Sequence, residues 1–187
     1  MKINLVAAAT ALSICAPAFA QQQGPARNVN PDVGVTVQMR DAAGRSVGTV
    51  RLRQLSHGMI FIAELNGLPP GPHGFHIHEH GRCDAPDFQT AGGHFNPTRA
   101  EHGFDSPRGA HVGDMPNIHV ARDGTALAEF HAPRLLLSGP GQPAEGHYAL
   151  LDADGSAIVI HEHGDDYQAS TPESTGSRIA CGIIAAR

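Results

Sequence analysis

From Val33 onward the chain alternates. Val33, Val35, Val37 and Met39 are separated by small or polar residues, the period-two rhythm of a strand with one buried face. The rhythm returns in Val47–Arg53, Met59–Leu65, Ile118–Arg122, Thr125–Phe130, Tyr148–Leu151, Ala157–His161 and Ile179–Ile184. Turn residues separate these runs, as at Asp41–Gly44. Asp123-Gly124 and Asp154-Gly155 each stand between two runs and predict β-hairpins. No convincing amphipathic helix of any length is present. Many short strands with regular turns predict an all-β antiparallel sandwich or barrel.

Two stretches break the rhythm. Residues 81–117 and 164–177 are rich in Gly and polar residues and poor in aliphatic ones. A compact domain rarely tolerates such long loops unless something other than a hydrophobic core orders them. The first loop holds Cys83, His94, His102, His111 and Asp114, so a metal and a disulfide are candidates for that role.

The N-terminus reads differently. Lys2 precedes an apolar Ala/Leu/Val run, and Ala18-Phe19-Ala20 offers a small-x-small cleavage site before Gln21. Residues 1–20 are therefore read as a secretory signal peptide. The run is short for a membrane span, and Ile14 is bulky for the position before a lipid-anchored Cys15. Residues 21–32 are polar and read as a flexible N-terminal segment. Residues 33–187 form the single domain, exported to the periplasm or secreted. Export leaves Cys83 and Cys181 as an even pair in an oxidising compartment. They are either two separate thiols or one bridge, and a bridge across nearly a hundred residues is worth ~4.7 kcal/mol on chain entropy. Lys2 is the only lysine, so the remaining chain sets twelve Arg against eighteen Asp and Glu. An acidic chain of this kind is a poor match for nucleic acid.

Thirteen histidines, as many as Lys and Arg together, are the oddest feature of the composition. In Gly74-Phe-His-Ile-His-Glu-His-Gly81, His76 and His78 share one strand face while Phe75 and Ile77 share the other. Two such imidazoles, about 7 Å apart along the strand, can converge on one ion. His161 ends a second alternating run, Ile158 and Ile160 facing the other way. Taken alone, a His-x-His pair is equally an exposed polar face. His94, His102, His111 and Asp114 are four more ligand types within twenty-one residues; three imidazoles and a carboxylate suit a closed structural zinc site.

Five segments, GFHIHEHGRC, AGGHFNP, HVGDMPNI, VIHEHGDD and GSRIACGII, occur in an order that resembles the copper,zinc superoxide dismutases in their exported bacterial form. The resemblance implies an eight-stranded Greek-key β-barrel with two long functional loops. It implies one copper on His76, His78, His94 and His161, and one zinc on His94, His102, His111 and Asp114. His94 would bridge the ions and act catalytically with Arg178, which would lie over the copper. Asp165 would link His76 to His102, Cys83 would pair with Cys181, and the substrate would be superoxide, with a homodimer among the assemblies found in such proteins. The second loop lacks the lysines many relatives carry and holds Asp165, Asp166 and Glu173, so Arg99 or Arg108 would have to extend any positive funnel. His80 and His163 read as rim residues, and His57, His73, His119, His131 and His147 as ordinary surface or strand positions. Phe95, Asn96 and Pro97 read as packing around the bridge. Two rival readings are a copper-binding or delivery module without turnover and a cupin-like metalloenzyme; the latter would not place a zinc cluster in a long loop.

Overall fold

A computed structural model describes residues 34–138, 146–168 and 172–185. The signal peptide and the N-terminal segment read from the sequence lie outside the described residues. Among the described residues ten strands form: β1 (Gly34–Asp41), β2 (Ser46–Gln54), β3 (Met59–Leu65), β4 (Gly71–His78), β5 (Asp114–Val120), β6 (Ala126–Ala132), β7 (Leu135–Leu136), β8 (Tyr148–Ala149), β9 (Ser156–His161) and β10 (Arg178–Ile184). Eight of them make one antiparallel sheet in the order β5-β4-β9-β10-β1-β2-β3-β6. The sheet curls until its edge strands β5 and β6 approach, giving a nearly closed barrel of the predicted class.

Alternation sends one set of side chains inward. Val37, Met39, Leu52, Phe61, Ala63, Phe75, Ile77, Ile118, Ile158 and Ile160 meet in a single core. Phe61 and Phe75 are fully buried; truncating such a ring to Ala costs about 3–5 kcal/mol. In β4 and β9 the outward face is buried too, through residues 73–78 and 156–161. The long loops cover it. A smaller cluster of Phe88, Ala91, Ala157, Val159 and Cys181 seals that side.

Both hairpin expectations need correction. Ala121 and Thr125 do close a turn around Asp123-Gly124, but the flanking strands do not pair. β5 pairs with β4 and β6 with β3. The chain crosses the gap of the barrel at this turn, so its two strands become the two edges. Likewise β8 pairs in parallel with β7 and not with β9, because β9 is already held on both sides by β4 and β10. An Asp-Gly turn sets local backbone geometry; which strand fills each ladder is settled by closure of the whole barrel.

Candidate metal centre

His76 and His78 project from one face of β4, and His161 from the end of β9. The loop after β4 returns to the end of that strand, so that His94, sixteen residues on, forms an isolated antiparallel bridge with His78. It is held there by close backbone packing: Phe95 N–H donates to Ile77 O (2.8 Å), Gly113 N–H to Phe95 O (2.9 Å) and Ile77 N–H to Gly113 O (2.9 Å). A Cβ on Gly113 would stand 2.5 Å from Ile77 O, so only glycine allows the approach. Asp114 follows as the first residue of β5, and His102 and His111 arrive from the loop between.

Two four-residue groups result, His76/His78/His94/His161 and His94/His102/His111/Asp114. Within each, one potential ligand atom per residue lies within 4.8 Å of all the others. His94 belongs to both. The structure therefore brings together every residue that the sequence reading placed in the two sites. His80 is held by Asp154 (2.7 Å), His163 is exposed, and among the described residues neither joins either group. His73 is buried on β4, its ring nitrogens each 2.8 Å from a carbonyl oxygen, of His161 and Pro69.

Hydrogen bonding decides which nitrogen of each ring faces the centre. His76 Nε2 meets Asp165 Oδ2 at 2.9 Å, His102 Nε2 meets Asp165 Oδ1 at 3.1 Å, His78 Nδ1 meets Gly92 O at 3.0 Å, and His161 Nδ1 meets Thr175 Oγ1 at 3.0 Å. Each ring thus has one nitrogen anchored and the other free to ligate. His94 is different. Its Nδ1 lies 2.8 Å from Asp114 Oδ1 and 3.4 Å from His111 Nδ1, which leaves Nε2 for the other group. Both its nitrogens look into sites.

The inward atoms fit cations. His76 Nδ1 is buried without a hydrogen-bond partner, an unfavourable state for a polar atom. His78 Nε2 and His161 Nε2 are 3.4 Å apart, as are His111 Nδ1 and His94 Nδ1. Nitrogens at about 2.0–2.1 Å from one tetrahedral ion stand roughly 3.3 Å apart. Four imidazoles suit copper, and three with a carboxylate suit structural zinc.

Electrostatics separates the groups. Burial lowers His78 well below the ordinary imidazole range, and burial lowers His94 to about 4 and His161 to about 2, with neighbouring imidazoles adding repulsion. These rings are neutral lone-pair donors at pH 7. Burial alone would lower His102 as well, but the Asp114 and Asp165 carboxylates raise it to about 10. Burial opposes ionisation of those carboxylates, yet their histidine partners hold both well below the usual carboxylate range.

Arg178 opens β10. Its Nη1 donates to Phe88 O and its Nη2 to Gly92 O, both at 2.8 Å. One carbonyl, that of Gly92, therefore fixes both the guanidinium and the His78 ring. Gly92 has φ 77°, a conformation glycine adopts without strain. Cys83 and Cys181 form a disulfide that ties the same loop to β10.

Three anchors escaped the sequence reading: the Gly92 carbonyl, Thr175 and Asn117. Asn117 Oδ1 accepts from Asp165 N–H (2.8 Å), and its Nδ2 donates to Asp165 O (2.9 Å). A backbone carbonyl has no side-chain signature. Asn117 lies 48 residues from the Asp165 it holds and Thr175 lies 14 residues from His161, and only their neighbourhood within ligand-bearing segments could have pointed to them.

Comparison with known proteins follows the same lines. The family described as copper/zinc superoxide dismutase matches residues 46–184. A superoxide dismutase [Cu-Zn] of Caulobacter vibrioides is 41% identical over 150 residues, covering 80% of this chain and 84% of that protein. The crystal structure of a SOD-like protein from Bacillus subtilis superposes with TM-score 0.74 at 39% identity, covering 80% of this chain and 97% of the other. A Cu/Zn superoxide dismutase from Brucella abortus gives TM-score 0.63 at 31% identity, covering 81% and 99%.

Proposed function

The chain belongs to the copper/zinc superoxide dismutase family, and from this we propose that it dismutates superoxide to oxygen and hydrogen peroxide after export to the periplasm or beyond. Copper would be held by His76, His78, His94 and His161, and zinc by His94, His102, His111 and Asp114. When bound, copper supplies the one-electron oxidation and reduction, and zinc supplies fixed positive charge without redox chemistry. Two superoxide ions and two protons become one oxygen and one hydrogen peroxide.

The observation that supports this reading is the two-sided exposure of His94. A ring with each nitrogen in a different site can hold or give up a proton at Nε2 while Nδ1 stays with the zinc-side group. Arg178 attracts and orients the substrate anion. A guanidinium has five N–H donors, and two bonds to backbone carbonyls fix its plane while leaving others for the oxygens. Thr175, Gly92 and Asp165 hold the rings in their required orientations. The neutrality of His78, His94 and His161 keeps their lone pairs available down to acidic pH.

The test is metal analysis with a dismutation assay on the mature protein. One copper, one zinc and rapid turnover are expected. His94→Ala should disturb both metals, whereas Asp114→Ala should chiefly remove zinc. Both metals bound without turnover would favour a copper-binding or delivery module instead.

A further inference from the structure

A second polar cleft opens on the zinc-side loop. It has a volume of about 480 Å³, and its lining includes Arg99, Arg108, Arg134 and Glu101. None of the metal-site histidines contributes. Three of the twelve arginines of the chain thus gather in one place on a molecule of net charge −5.

Their charges are unevenly compensated. Arg108 is paired with Glu101, whose carboxylate also accepts from Ser106 Oγ (2.8 Å). The one acidic lining residue is therefore already satisfied. Among the described residues, neither Arg99 nor Arg134 has a carboxylate partner. Among the described residues the cleft thus carries a surplus of two positive charges.

Both arginines have ordered surroundings. Arg99 sits at φ 53°, an uncommon conformation for a non-glycine residue. Asn96 enforces it: Asn96 Oδ1 accepts from Ala100 N–H (2.9 Å) and Nδ2 donates to Ala100 O (3.0 Å), closing a tight turn on which Arg99 stands. On the turn between β6 and β7, the Arg134 guanidinium lies 5.6 Å from the Tyr148 ring centroid, a cation–π contact that restricts it. Two guanidiniums lining one cleft present forks that match oxyanions.

The lining also limits the class of ligand. Among the described lining residues there is no aromatic side chain, and the apolar groups are the methyls of Thr98, Ala100 and Ala110 beside the arginine stems, so an apolar ligand gains little. The volume exceeds what one inorganic anion fills and suits a compact polar organic molecule. We propose that this cleft binds a sugar-sized molecule bearing two anionic ester groups, phosphate or sulfate, one on Arg99 and one on Arg134, and that the occupant bridges the zinc-side loop to the turn between β6 and β7. The site is independent of the superoxide chemistry and stands whether or not turnover is observed.

The probes are glucose 1,6-bisphosphate and a disulfated disaccharide, each titrated by calorimetry into the metal-loaded mature protein at low ionic strength. Saturable one-to-one binding is expected, and the tighter probe identifies the ester. The double variant Arg99→Ala/Arg134→Ala should weaken it by about tenfold or more, as loss of charge-assisted hydrogen bonds demands. Arg134→Gln, which lies outside the metal-bearing loop, should weaken it by about threefold with unchanged copper and zinc content. Arg122→Ala, an exposed arginine away from the cleft, should leave it unchanged. Absence of saturable binding with either probe overturns the proposal. So does a double variant within about twofold of wild type, or an equal loss in Arg122→Ala, since the attraction would then be diffuse.

Discussion

At the residue scale, Asp165 links the two halves of the site. Its Oδ2 reaches His76 and its Oδ1 reaches His102, and it accepts from Tyr167 N–H as well (2.8 Å). Removing a carboxylate that orients a ligating histidine typically costs about 10- to 100-fold in metal affinity. Asp165→Ala should therefore weaken copper and zinc together, as chelator competition on each metal would show; a loss confined to one metal would contradict the shared anchor. The titration of the metal-free protein follows from the same contacts. Burial holds His94 near 4 and His161 near 2. Below pH 6.5 the unfolded chain binds protons that the folded chain refuses, so acidification destabilises. His102, raised to about 10 by Asp114 and Asp165, works in the opposite direction: it stabilises below pH 6.5, and that contribution is lost as pH rises to 10. The urea midpoint of the metal-free protein should pass through a maximum near neutrality and fall on both sides. Metal loading should abolish the alkaline fall, because a ligand nitrogen must give up its proton to bind.

At the element scale, the supporting strand β5 carries more than Asp114. Asn117, three residues on, clamps Asp165 from both sides through its amide, and Asn117 N–H donates to Tyr167 Oη (2.9 Å). One strand thus supplies a metal-site carboxylate and positions the loop that orients two histidines. Asn117→Ala should leave the barrel folded but lower zinc and copper affinity by about three- to tenfold, from loss of two hydrogen bonds at about 1 kcal/mol each shared between folding and site geometry. Metal titration beside thermal melting separates the two; a drop in melting temperature with unchanged affinities would make Asn117 merely structural. This element also shows where the sequence was informative. Alternation revealed which face of β4 carries His76 and His78, because period two is a property of neighbouring residues. It could not reveal that β5 and β6 leave the Asp123-Gly124 turn for opposite edges of the sheet. Ladder partners are chosen by packing across the barrel, and no local run encodes them. His94, His102, His111 and Asp114 were legible as a candidate zinc set because they fall within twenty-one residues; that His161, 67 residues after His94, joins His76, His78 and His94 was implied by the family resemblance, and the Gly92 carbonyl that fixes His78 and Arg178 is a backbone atom every residue possesses.

At the scale of the whole molecule, the question is how an acidic protein would attract an anion. Lys2 is the only lysine, and the arginines first read as possible guides, Arg99 and Arg108, line a separate cleft with Arg134. Arg178 remains. It is half-buried and fixed by two carbonyls, and Asp87 lies close enough to interact with it. The disulfide between Cys83 and Cys181 spans 98 residues and keeps this loop against β10, so the guanidinium is rigidly placed, and on the proposed activity it would meet the anion at short range. A single charge is screened beyond about 8–10 Å at physiological salt. Extended positive fields give association rates that fall steeply with ionic strength; a lone fixed guanidinium acts mainly after encounter. On the proposed activity, kcat/KM should fall by less than about twofold as salt rises from roughly 10 to 200 mM. Arg178→Ala should lower kcat/KM by about 10- to 100-fold, the range of one charge-assisted hydrogen-bonding contact, and by the same factor at both ends of the salt range. Pulse radiolysis on wild type and variant measures both quantities. A steep salt dependence in the wild type that survives in Arg178→Ala would mean that the anion is gathered by a wider field than Arg178 supplies, and the short-range account would fail.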